Sequence, residues 1–125
     1  MGRITRICNF GLLLLGATAA TAARPAGPSA LQSYVQARMA EAEENGPAAR
    51  AGYAIALSAE PDNSLIAERA LRQAVEGGDK ALAVTAAETL VRADNFPADA
   101  ALLMIGTRLQ ARDPAGASAL IDRLE

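Results

Sequence analysis

The sequence predicts an all-α fold, and three observations predict it. Alanine, the strongest helix former, fills 31 of the 125 positions; its small side chain favours helices packed closely on one another over a core of bulky groups. No stretch alternates apolar and polar positions with β-branched residues, as a half-buried strand does. Turn formers and helix caps recur at regular intervals and cut the chain into segments of ordinary helical length.

The first segment is of another kind. Met1 to Arg6 carries Arg3 and Arg6 and no acid, residues 7–17 are almost wholly apolar, and Ala17-Thr-Ala-Ala-Thr-Ala-Ala23 is a run of small residues. These are the three regions of a cleavable secretory signal, so residues 1–22 are expected to be removed on export to the periplasm or the medium. Cleavage fits best after Ala22, with Ala19 as the alternative. The apolar run falls short of the ~20 residues that span a bilayer, so contact with a membrane is expected only through this leader, should it stay uncleaved. Cys8 does not mark a lipoprotein, because Thr5-Arg6-Ile7 stands before it and the apolar run follows it.

Residues 23–28 form a linker around Pro25 and Pro28, which cannot donate to a helical ladder. The helical domain then runs over 29–125. Ser29 opens its first helix, and breaks follow at Asn45-Gly-Pro47, Glu60-Pro-Asp-Asn-Ser64, Gly77-Gly-Asp79, Ala93-Asp-Asn-Phe-Pro97 and Arg112-Asp-Pro114. Helices are predicted over 29–45, 47–60, 64–77, 80–93, 97–111 and 114–125. Asp113 before Pro114 is the sharpest start, a cap followed by proline at the first helical position.

A shift of 34 residues superposes the hairpin turns, laying Asn45, Asp79 and Asp113 on one another. It also aligns Ala37 with Leu71 and Ile105, Ala49 with Ala83 and Ala117, and Ala56 with Leu90 and Leu124. A fixed period of this length is the mark of stacked helical hairpins. Within it, Ala49-x-x-x-Tyr53-x-x-Ala56-x-x-x-x-Pro61-Asp62-Asn63 resembles the second half of a tetratricopeptide repeat. Ala87 and Ile121 replace the aromatic in the later repeats, and Asn95 stands where Pro61 maps. The alanine-rich composition behind an export signal is similar to bacterial repeat proteins of this kind. The resemblance implies a right-handed helical-hairpin solenoid of about three repeats. It also implies that the first helices of successive hairpins line a binding groove.

Composition narrows the function. Without the leader, ten basic residues face fourteen acidic ones, a net charge of −4, and the arginines are scattered; a nucleic-acid surface needs a basic patch, so no nucleic-acid partner is expected. The chain has no histidine, and its one cysteine lies in the leader. No transition-metal site, cofactor site or disulfide is therefore expected. No serine sits in a nucleophile-elbow pattern, so catalysis is not expected either. Glu41, Glu43 and Glu44 read as a solvated helix face, lacking the alternating ligands and turn glycine of a calcium loop. Gly77-Gly78-Asp79 reads as a hairpin turn, because no Gly-Lys-Ser/Thr follows it.

A protein or peptide partner remains as the expectation. The resemblance puts Tyr34 in register with Glu68 and Leu102, and Arg38 with Arg72 and Gly106, along the groove. Tyr34, Arg38, Glu68 and Arg72 are the candidate peptide-binding residues, the arginines for carboxylates and Tyr34 for apolar area. The competing expectation is ordinary surface residues joined by i,i+4 pairs such as Glu68 with Arg72. The asparagine and lysine set that some family members use for a terminal carboxylate is absent. Leu120, Ile121 and Leu124 leave the last helix apolar where a solenoid usually carries a polar cap. The expectation there is a longer array, or docking of this end on a partner or a second copy.

Overall fold

The computed structural model of the chain describes residues 27–94 and 97–124. Six α-helices follow one another: α1 (Ala30–Ala42), α2 (Gly46–Ala59), α3 (Ser64–Gly77), α4 (Lys80–Arg92), α5 (Ala98–Gln110) and α6 (Pro114–Asp122). No strand occurs among the described residues. The expected leader lies outside them, as do residues 23–26 of the linker, Asn95, Phe96 and Glu125.

Side-chain caps explain where most of these helices begin. Ser29, Asn45, Asn63, Asp79 and Asp113 each accept a hydrogen bond from the backbone N–H three residues on, satisfying a donor that the first turn leaves open. At α5, Pro97 takes the cap position without a side-chain bond. The first helix ends three residues sooner than its sequence suggests, because Glu44 adopts a left-handed backbone with φ 57°. Gly78 and Arg112 do the same at the two later turns, with φ 69° and 58°. In each case the next N–H closes back five residues: Asn45 to the Ala40 carbonyl at 2.8 Å, Asp79 to Ala74 at 2.8 Å, and Asp113 to Arg108 at 2.9 Å. This is a left-handed helix C-terminus followed at once by a capped start. One turn geometry thus recurs at the 34-residue spacing, although only Gly78 has the residue type that adopts it freely.

Helices adjacent in sequence pack on one another. Odd-numbered helices are neighbours along one side of the stack, where Arg69 of α3 lies 3.7 Å from Glu41 of α1. Even-numbered helices are neighbours along the other, where Arg123 beyond α6 donates to the Val91 carbonyl at the end of α4. Alanines fill the seam between the helices, among them Ala37, Ala49, Ala67, Ala70, Ala86 and Ala100, all fully buried. Leu57, Leu71, Leu90 and Tyr53 provide the larger buried groups.

Gly52 sets a close approach between α1 and α2. A methyl group on Gly52 would stand 2.8 Å from the Ala37 Cβ and 3.1 Å from its Cα. Gly52→Ala should therefore lower stability by about 1–3 kcal/mol through overpacking, although alanine gains ~1 kcal/mol of helix propensity over glycine. Gly106→Ala, with nothing within 4 Å of the new methyl, should instead raise stability by up to ~1 kcal/mol. Urea titrations of both variants give the signs; a stabilising Gly52→Ala would show that the hairpin has room to spare.

Candidate functional site

On α1, Tyr34, Arg38 and Glu41 stand on successive turns, the spacing that puts side chains on one helical face. Tyr34 is half-buried, and its ring meets that of Tyr53 edge to face, centroids 5.9 Å apart and planes at 64°. Tyr53 is fully buried, and its hydroxyl donates to Glu41 Oε2 at 2.6 Å. Arg38 donates to the same oxygen at 2.8 Å. The Tyr53 hydroxyl, and after it the Arg38 charge, hold the Glu41 carboxyl below the ordinary carboxylate range, against partial burial. Burial first, and the Glu41 carboxylate second, push Tyr53 up to about 12.

Glu41 is thus no part of a solvated cluster. Its side chain is only 20% exposed, because it accepts from a buried tyrosine and faces two arginines. Glu43 and Glu44 are exposed as expected.

The four candidate residues lie on the odd-helix side but in different surroundings. Tyr34 lines a cleft of about 170 Å³ with Leu31, Asn63 and Leu65. Glu68 and Arg72 are exposed on α3 and line a second cleft of about 270 Å³ with Pro97 and Asp99 of the α5 start. Leu102 is exposed on α5, and Gly106 is half-buried. Arg38, although exposed, is engaged by Glu41, whereas Arg72 makes no ion pair or side-chain hydrogen bond among the described residues. A cation held by its own helix has little left for a ligand; one without a partner keeps its full hydrogen-bonding capacity.

A further cleft, of about 590 Å³, lies on the opposite side between α2 and α4. Sequence reasoning did not single it out. Its signal is present only faintly, as Ala54 with Ser58 on α2 and Ala81 with Thr85 on α4, spaced to share a face and short where surface helices usually carry long side chains.

Of the apolar triplet expected in the last helix, only Leu120 and Ile121 lie within α6, which ends at Asp122 rather than running on to 125. Leu120 belongs to the core, while Ile121 and Leu124 are about half exposed. Their register partners in α4, Ala87 and Leu90, are fully buried, because there a further hairpin packs over them. No helix among the described residues is long and apolar enough to cross a membrane, and no cluster of three or more acidic, histidine or cysteine side chains there could hold a metal ion. Comparison with family models, with curated proteins and with solved structures gives no match, so a functional reading of this chain rests on its own residues.

Proposed function

We propose that the chain is an exported, non-catalytic binding module. In this reading it is a right-handed, tetratricopeptide-like stack of three hairpins that takes an extended peptide or protein segment along α1, α3 and α5. The observation that carries the proposal is the row of side chains on that side. Leu31, Leu65 and Leu102 are exposed, one on each successive odd-numbered helix, and the exposed Arg72 lines a cleft on that side between α3 and the start of α5. Exposed apolar groups and a cation on one side suit a segment with apolar side chains and a carboxylate. The recurrence of one turn geometry at the 34-residue spacing supports the repeat architecture.

A peptide array probed with the full chain tests this reading. Extended peptides combining leucine and glutamate should be retained, and Arg72→Glu should weaken their retention roughly tenfold while leaving that of lysine counterparts no weaker. Indifference of the array to this charge reversal would remove the odd-helix side as the binding surface.

A second reading, a tethered or self-associating assembly protein, is favoured by the exposure of Ile121 and Leu124. Under it, copies cover each other's last helix and the melting temperature rises with protein concentration. A melting temperature constant over a wide concentration range would exclude it.

A further inference from the structure

The chemistry of the α2–α4 cleft is distinct from that of the odd-helix side. Its floor is apolar, formed by Ala54, Leu57 and Leu82, and it is open to solvent because alanines at 54 and 81 leave the two helices without long side chains to bridge the gap. Leu57 and Leu82 are almost fully buried, so the floor is firm rather than a layer of mobile surface groups.

The polar groups around this floor are largely committed to the protein itself. Ser58 donates to the Ile55 carbonyl at 2.8 Å, Thr85 to the Ala81 carbonyl at 3.1 Å, and Thr89 to the Pro61 carbonyl at 2.9 Å. A hydroxyl has one proton to give, so these three offer a ligand only acceptor lone pairs. Arg92 closes one end of the cleft, donating to Pro61 and Thr89 and lying 3.8 Å from Asp62. It is thereby turned away from Glu88, one helical turn before it, with which a surface arginine would ordinarily pair.

Glu88 is left as a carboxylate with no hydrogen bond or ion pair among the described residues, on the edge of an apolar trough. The cleft therefore offers apolar area, acceptors and a net negative charge, Asp79 and Glu88 against Arg92, whose Nη2 is bound to Pro61 and Thr89. A complementary ligand brings apolar side chains, donors and a positive charge.

We propose that the α2–α4 cleft is a second docking surface, for an amphipathic peptide segment that lays apolar side chains on Ala54, Leu57 and Leu82 and sets a lysine or arginine against Glu88. It lies on the other side of the stack from the surface proposed above and does not depend on it. Charge complementarity selects the occupant: Asp79 and the unpaired Glu88 outnumber Arg92 around the cleft, so a segment with acidic residues would meet net repulsion there. The trough is open along its length, which suits a helix laid into a groove, with anchors on one face of the ligand.

The test uses the full chain with labelled alanine and leucine methyl groups. The probe is a synthetic amphipathic peptide of leucine, alanine and lysine, about four helical turns long, with a glutamate-for-lysine counterpart as control. The lysine peptide should shift the methyl signals of Ala54, Leu57 and Leu82, and the glutamate peptide should not. Glu88→Gln should weaken binding roughly fivefold, and Glu88→Lys should turn the preference toward the glutamate peptide. Residue 88 is exposed, so an unchanged thermal melt in both variants separates lost binding from lost fold. The proposal is overturned if neither peptide shifts these methyls, if the shifts appear at Leu31, Leu65 and Leu102 instead, or if Glu88→Lys leaves the preference as it was. The arginine at 72 serves as an internal reference: Arg72→Glu should leave binding of the lysine peptide at the α2–α4 cleft unchanged, so the two surfaces fail or stand separately.

Discussion

Tyr53→Ala should cost about 3–5 kcal/mol, the range for removing a large buried aromatic, a large share of the about 5–15 kcal/mol that holds a small domain folded. Three losses combine. The cavity opens where Tyr53 packs among Ala37, Ala56 and its neighbours in the core, Tyr34 loses the ring it meets edge to face, and Glu41 loses the hydroxyl that holds it. Tyr53→Phe separates the last of these from the others. It keeps the ring and should cost ~1.5–3 kcal/mol, the value of a hydrogen bond to a charged acceptor. Urea unfolding followed by circular dichroism measures both, and a Tyr53→Phe variant as unstable as Tyr53→Ala would mean that the hydroxyl, not the ring, organises the hairpin.

The same pair governs the pH dependence. The Glu41 carboxyl is held below its ordinary range in the folded chain, so its contribution is present above the unfolded-state pKa and is lost as the pH falls through the folded value. Tyr53 is raised to about 12. Its contribution is complete below the ordinary tyrosine value near 10 and is lost as the pH climbs from there through 12. Stability should therefore fall at both extremes, and Tyr53→Phe should flatten the alkaline limb and shrink the acid one. An alkaline limb identical in the two proteins would assign that loss to other groups.

Leu90→Ala should cost about 2–5 kcal/mol, whereas Leu124→Ala, at the corresponding position one period on, should cost under ~1 kcal/mol. The two leucines differ in surroundings alone: Leu90 is 0% exposed and Leu124 45%. Chemical denaturation of the two variants at several protein concentrations gives the contrast. Equal costs would show that Leu124 is covered in solution, and a Leu124 cost that grows with concentration would identify the cover as another copy.

The helical architecture was legible because it rests on local chemistry. Asn45, Asp79 and Asp113 announce the hairpin turns through side chains that can do little else there than cap, and all three do so. What the pattern missed is tertiary. Glu41 reads as one of three acids on a polar helix end, and only the arrival of Tyr53 from α2 and Arg69 from α3 makes it a partly buried acceptor. Arg38 and Arg72 are equivalent by register, yet one has an acid three residues on and the other does not use one. The α2–α4 cleft escaped for a related reason. An alanine at a surface position looks like helix propensity in the sequence, and becomes a gap only when a second alanine faces it across two helices.

The alanine seam bears on the thermodynamics of the whole domain. An alanine gives up no rotamer freedom on folding, and it removes little apolar surface from water. The side-chain part of the entropy opposing folding and the hydrophobic gain favouring it are therefore both small per residue. Heat capacity change and denaturant sensitivity scale with the apolar surface that unfolding exposes. This domain consequently has a shallow stability curve, one that varies slowly with temperature instead of rising to a sharp maximum.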